Sequence, residues 1–152
     1  MVLGIGTRAA VGATDSPTAA ASPASKAPPI KPPVITESFT LLRCSNESTI
    51  GMEGCEEHKL VAADKRIDRE VRLVFTILHD NAARMRFIQA QTTWFAFRQD
   101  DSRSQADIYE GGSESVVAAL VCAVNDDNAR SADLHDFFRG LEQGRDHVPV
   151  FP

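Results

Sequence analysis

The amino-acid sequence predicts an all-α protein: an antiparallel long helical hairpin plus a third helix, behind a disordered Pro/Ala/Ser-rich N-terminal tail. Three observations carry that prediction. Apolar residues recur every three or four positions from Leu60 to Leu78, and again from Ala83 to Phe97, which is the period of a helix face and not of a strand. His79-Asp80-Asn81 separates the two stripes with residues that suit a turn. Ahead of residue 38 the chain is rich in Pro, Ala and Ser, a composition that buries too little to offset its ordering entropy.

Residues 1–37 are accordingly expected to be leader and linker, 38–147 the folded domain, and 148–152 a frayed tail. Val11-Gly12-Ala13 has the small residues of a signal-peptidase site, so 1–13 reads as the remnant of an export signal that begins upstream. Pro28 to Pro33 favours extended chain. Ile35 to Leu42 alternates apolar and polar residues over its latter half. With no second strand to pair with, it is expected to lie as an extended arm on the domain.

Ser48 or Thr49 can cap the first helix, with Glu53 in its early turns. Leu60, Ala63, Ile67, Val71, Val74, Phe75 and Leu78 then form one stripe, which fits a helix of roughly 25–30 residues. The second stripe runs through Ala83, Phe87, Ala90, Trp94 and Phe97 and is expected to stop among Asp100, Asp101, Ser102 and Arg103. Ser104 to Glu114 is polar and holds Gly111-Gly112, so a loop is expected there. A third helix begins near Val116, with a bend expected at Asn125–Asn128, and continues through Leu134, Phe137 and Leu141 to Gly144.

A short turn between two long helices makes them antiparallel. If it centres on Asn81, Asp64 stands level with Arg98, Asp68 with Trp94, and Val71 with Gln91. Gln91, Trp94 and Arg98 are spaced three and four apart and share a helix face. Asp64, Gln91, Trp94 and Arg98 therefore read as a structural motif, with an Asp64–Arg98 bridge across the hairpin. The competing reading of Trp94 and Arg98 is a binding hot spot, where both residue types are enriched.

Net charge is −5 overall, with +1 in residues 1–37 and −6 in the remainder. An acidic body argues against nucleic acid as partner and suits a cationic protein, whose approach it would accelerate. No apolar run approaches the length of a membrane span. No nucleophile elbow, zinc-protease helix or phosphate-cradling glycine loop occurs. The pairs Glu56-Glu57, Asp100-Asp101 and Asp126-Asp127 are adjacent, and adjacent residues on a helix diverge by about 100°. No catalytic residue, metal site or cofactor is expected. Cys55 and His58 are two residues apart, but no second ligand pair follows.

Three cysteines, Cys44, Cys55 and Cys122, permit at most one internal disulfide. Cys44 and Cys55 flank a short polar segment whose closure would contribute about 2–3 kcal/mol.

Cys44, the Thr49–Cys55 segment, Ala63-Asp64-x-x-Ile67 and Ala90-Gln91-x-x-Trp94-x-x-Phe97-Arg98 together resemble the LprI-type lysozyme inhibitor N-terminal domain family. Tyr109-x-Gly111-Gly112-Ser113, Cys122 and Arg130-x-x-x-Leu134 are similar to the family's closing segment. The resemblance spans roughly 44–141 and implies a small exported bacterial protein, periplasmic or secreted, with helical hairpins and disulfides. It departs from the family at Asp68, at Val71, and at Ser102, where a cysteine is usual. That leaves Cys44–Cys55 as the preferred pair and Cys55–Cys122 as the alternative. The expected role is a non-catalytic inhibitor of a cationic lysozyme-type enzyme; an envelope accessory protein without an enzyme target is the second reading. Asp100, Asp101, Asp107, Glu110 and Glu114 concentrate in the connection after the second helix and are the expected partner-binding residues.

Overall fold

The computed structural model describes residues 29–144; the expected signal remnant at 1–13 and the tail at 148–152 lie outside them. Three helices follow one another, α1 (Thr49–Ile77), α2 (Asn81–Asp107) and α3 (Glu114–Gly144). Ser48 starts α1 from extended backbone, its Oγ accepting the Gly51 N–H at 3.1 Å. Leu78, extended again, stops it. Asp80 starts α2 two residues later: its carboxylate accepts the N–H groups of Ala82 and Ala83 at 3.1 and 3.0 Å. Those two bonds satisfy donors that the first helical turn leaves open, and they hold the Asp80 carboxyl below the usual range.

Helix α2 continues to Asp107, past the stop expected at Asp100–Arg103. Polarity there marks the exposed face of a helix and not its end. Arg103, Gln105 and Ala106 are good helix formers, and the segment is anchored where Asp101 accepts a hydrogen bond from Cys122 of α3. The connection shortens to Ile108–Ser113, with Glu110 at φ 50° and Gly111 at φ 76°. Helix α3 runs unbroken through Asn125–Asn128, where a bend was expected. Side chains in that segment engage other elements instead of competing for their own backbone: Asn128 accepts from Arg66 at 2.5 Å, and Asp127 from Arg98 at 2.9 Å.

Helices α1 and α2 run in opposite directions, and the second reversal makes α3 parallel to α1. Phe75 and Phe87, on α1 and α2, lie 6.5 Å apart, ring centre to ring centre. Helix α3 makes the close backbone approaches to both other helices. The two arms of the hairpin therefore meet through long side chains. Ile67, Val71, Val74 and Leu134 form the main core, with Phe87, Trp94 and Phe138 packed against it. Leu60, Ala123 and Val124 form a second core nearer the start of α1, covered by Leu120 and Phe39. Each such buried side chain contributes about 1.5–3 kcal/mol. Among the described residues, no helix is long and apolar enough to cross a membrane.

The extended segment before α1 lies on these helices as an arm. Ile35 packs on the main core and Phe39 on the second, so the alternating side chains face inward at every second position. The Ile35 N–H donates to Asp68 Oδ1 at 3.1 Å and the Leu42 N–H to Glu57 Oε2 at 2.6 Å. Ordered contacts thus reach ahead of the expected boundary at residue 38. A disulfide joins Cys44 to Cys55 and ties the arm to α1. Gly54 lets the two backbones approach: a Cβ there would sit 2.6 Å from the Arg43 carbonyl oxygen.

Because that oxygen belongs to backbone and cannot swing aside, Gly54→Ala is expected to cost about 1–3 kcal/mol by overpacking. Urea unfolding measures it; an unchanged midpoint would show that the arm can lift from α1 without loss.

Candidate functional site

Arg98 is the most constrained side chain of α2, only 3% exposed. A guanidinium taken out of water must be paired on several sides. Its Nη1 lies 2.9 Å from Asp64 Oδ1 and 2.9 and 3.1 Å from the two oxygens of Asp127, and its Nη2 lies 2.5 Å from Glu37 Oε1. The three carboxylates come from α1, α3 and the arm. The Arg98 Cζ also sits 4.5 Å from the Phe95 ring centre and 5.9 Å from that of Trp94, within cation–π range.

One cation facing three carboxylates leaves excess negative charge in a dry site. Burial and the neighbouring Asp127 push the Asp64 carboxyl up to about 7. Burial also pushes Asp127 upward, against the pull of Arg98. Hydrogen bonds to Asp127 and Glu37 outweigh burial at Arg98 and keep its charge in place. The cluster ties α2 to the other segments: Nη1 donates to carboxylates of α1 and α3, and Nη2 to that of the arm.

Gln91 and Trp94 lie on the same side of α2. Gln91 Oε1 accepts from Arg130 Nε at 3.4 Å, and the Arg130 Cζ is 5.9 Å from the Trp94 ring centre. Asp64, Gln91, Trp94 and Arg98 are thus gathered with Arg130 and Asp127 of α3. Asp127 and Glu37 were not singled out in the sequence. Asp127 carried a signal, because it falls between Val124 and Leu134 on the apolar stripe of α3, and a carboxylate there demands a cation. Glu37 carried none beyond its place in an alternating arm.

The acidic residues expected to bind a partner do not share one loop. Asp100, Asp101 and Asp107 are on α2 and Glu114 opens α3, leaving Glu110 alone in the turn. Asp100 is exposed and pairs with Arg103 at 3.1 Å. Asp101 turns inward, where the Cys122 Sγ–H donates to it at 3.1 Å. Together with Asp126, those groups place a thiol and two carboxyls within 4.8 Å of one another. Burial, reinforced by the bond to Asp101, pushes the Cys122 thiol up to about 11, so it stays protonated and acts as a donor. Burial likewise raises Asp126, with Asp101 adding to the effect. The spacing of Cys122 and Asp126 by four on one helix is the only sequence trace of this cluster.

At the turn itself, Asp107, Glu110 and Glu114 are exposed beside two apolar side chains, Ile108 (69% exposed) and Tyr109 (46% exposed). Next to them is a cleft of about 650 Å³ with Met52, Tyr109, Val117 and Val121 on its walls and Asp101 and Asp126 within it.

The family described as Lysozyme inhibitor LprI matches residues 44–134 of the chain, from the first disulfide cysteine to the buried Leu134 of α3. No curated protein and no solved structure matches the chain.

Removing the buried cation leaves three carboxylates facing one another, so Arg98→Met is expected to cost about 3–5 kcal/mol, measured by urea unfolding. The pH dependence has a definite sign. The Asp64 carboxyl, ordinarily near 3.8, holds its proton to about 7 when folded. Its contribution to stability is therefore full below the ordinary value and is lost as pH rises through the folded one. The thermal midpoint should fall across that window, and Asp64→Asn, neutral throughout, should flatten the fall. An unaltered slope in that variant would exclude Asp64 as the titrating group.

Proposed function

Since this chain belongs to the LprI lysozyme inhibitor family, we propose that it is an exported, non-catalytic binding protein that obstructs a lysozyme-type, peptidoglycan-cleaving enzyme. The observation that carries the proposed mode of binding is the α2–α3 turn. Large apolar side chains at a turn are costly to hydrate and mark contact surfaces when they cluster. Ile108 and Tyr109 are such a pair, bordered by the exposed carboxylates of Asp107, Glu110 and Glu114. An apolar centre with a charged rim is the usual anatomy of a protein–protein contact.

The rim matches the charge of the chain, −6 beyond residue 37. Against a cationic enzyme that field speeds encounter and weakens with salt. The left-handed backbone at Glu110 and Gly111 makes the turn tight, so Ile108 and Tyr109 are presented on a short connection between two long helices. Ordering costs on binding are correspondingly small. The adjoining cleft provides a place for a basic side chain of the partner, with Tyr109 and Val121 along its stem and Asp126 near its charge. The Cys44–Cys55 disulfide suits the periplasm or the cell exterior, where such bonds persist.

Clearing of cell-wall suspensions by lysozyme tests this reading. Inhibition is expected at low salt, reduced at high salt, and at least tenfold weaker for the Ile108→Ser, Tyr109→Ser double variant, whose changes lie on the surface. Full lysozyme activity at large molar excess in low salt would refute the proposal.

A further inference from the structure

Helix α1 sorts its charges by side. Its acidic residues turn toward the rest of the molecule: Glu57, Asp64 and Asp68 are buried, and Glu53, Glu56 and Glu70 are half-buried. Glu57 and Asp68 accept from the arm, Asp64 accepts from Arg98, and Glu70 lies 3.4 Å from His135 of α3. The exposed residues of α1 that carry a formal charge are all basic: Lys59, Lys65, Arg69 and Arg72. Lys59 is paired with Glu56 at 2.6 Å. The other three are spaced four and three apart, so they share one solvent-facing stripe. His58 and Ala62 extend it in one direction and Thr76 in the other, all of them exposed.

Among the described residues, none of these three cations forms an ion pair with a carboxylate. Arg69 Nη1 donates to the Lys65 carbonyl at 3.3 Å and Arg72 Nε to the Asp68 carbonyl at 2.9 Å, contacts that orient the guanidinium groups without matching their charge. Like charges three and four positions apart on a helix repel one another, and nothing on this face relieves them. The imbalance is regional. Residues 65–90, which include the reversal of the hairpin, hold six basic and three acidic residues, net +3, in a body that carries −6. The exposed carboxylates at that end, Asp80, Asp133, Asp136 and Glu142, stand at the start of α2 and on α3, not on α1. Leu73, 41% exposed, follows Arg69 by four positions and so lies beside it.

We propose that this face of α1 docks on an anionic lipid bilayer. Phosphate headgroups supply the negative charge that Lys65, Arg69 and Arg72 lack, and the long aliphatic stems of those residues suit the boundary between headgroups and acyl chains. Leu73 favours lipid over a nucleic acid or another soluble polyanion: a bilayer takes up an apolar side chain beside the cations, whereas a polyanion gains nothing from it. The acidity of the body does not oppose the contact. Asp64 pairs with Arg98, and Asp107 lies nine residues further along α2, about 14 Å at 1.5 Å per residue. That exceeds the screening length of about 8 Å at physiological salt. The α2–α3 turn is left free in this orientation, and the proposal uses none of its residues.

Co-sedimentation of the full chain with vesicles tests this without any lysozyme, so its failure is separate from that of the inhibitor reading. Binding is expected with vesicles of phosphatidylglycerol mixed with phosphatidylcholine. It should be absent with phosphatidylcholine alone and should fall as salt rises. The Lys65→Ala, Arg69→Ala, Arg72→Ala triple variant should bind more weakly by about fivefold for each cation removed. Arg69→Lys, Arg72→Lys, which keeps the charge, should bind as the unaltered chain does. Leu73→Ser should weaken binding to the mixed vesicles. The proposal is overturned by no binding to those vesicles, by equal binding to neutral ones, or by unaltered binding in a triple variant that circular dichroism shows to be folded. Should that variant not fold, indifference of the unaltered chain to salt overturns it instead. Duplex DNA bound as tightly as the vesicles would mark a general polyanion site and overturn it too.

Discussion

The structure depends on one buried cation. Arg98 is carried by α2, but its partners belong to the arm, α1 and α3, so each of those segments has to arrive in register for the guanidinium to be satisfied. Apolar packing alone is tolerant of sliding and rotation, whereas a desolvated charge is not. A helix displaced by one residue would carry its carboxylate away and leave the charge unpaired. Such a cluster adds little net stability relative to a well-packed apolar core. Its effect here is to select one arrangement of three helices and an arm from the many that would bury the same stripes.

The same cluster accounts for the shape of the bundle. Helices α1 and α2 do not seal against each other directly; Arg98, Trp94 and Phe87 reach across, and α3 closes one side. The other side is covered by the arm, which is pinned at Glu37 by Arg98, at Ile35 by Asp68 and at Leu42 by Glu57. The disulfide and the glycine opposite Arg43 complete the attachment at the end of the arm. Three carboxylates around one guanidinium would repel one another if all were ionised, and the raised affinity of Asp64 for a proton relieves that repulsion. A frame held in this way leaves its exposed features, the Ile108–Ser113 turn above all, to vary without disturbing the core.

How far the sequence was legible follows the range of the physics. A helix start at Ser48 or Thr49, the stripe from Leu60 to Phe75, and the turn near Asn81 are set by neighbours a few residues away. Those features could be read directly. The end of α2 could not, because residues 103–107, polar but for Ala106, read alike as a loop or as the outer face of a helix, and the contact of Asp101 with Cys122 decides between the two. Asn125–Asn128 misled for the same reason: these side chains suit turns in isolation, yet Arg66 and Arg98 engage Asn128 and Asp127 across the bundle.

What the sequence by itself determined is an all-helical chain with two stripes, a centred reversal, an acidic body and the family to which it belongs. Periodicity, capping and charge are properties of local order and composition, and they survive without knowledge of any partner. Only the tertiary structure decided that α3 lies alongside both other helices, that Glu37 and Asp127 join Asp64 around Arg98, and that Gln91 Nε2 is buried without a hydrogen-bond partner among the described residues. Those facts depend on which residues meet over separations of 29 to 61 positions. Burial acts there on ionisation and hydrogen bonding only once the chain has closed around them.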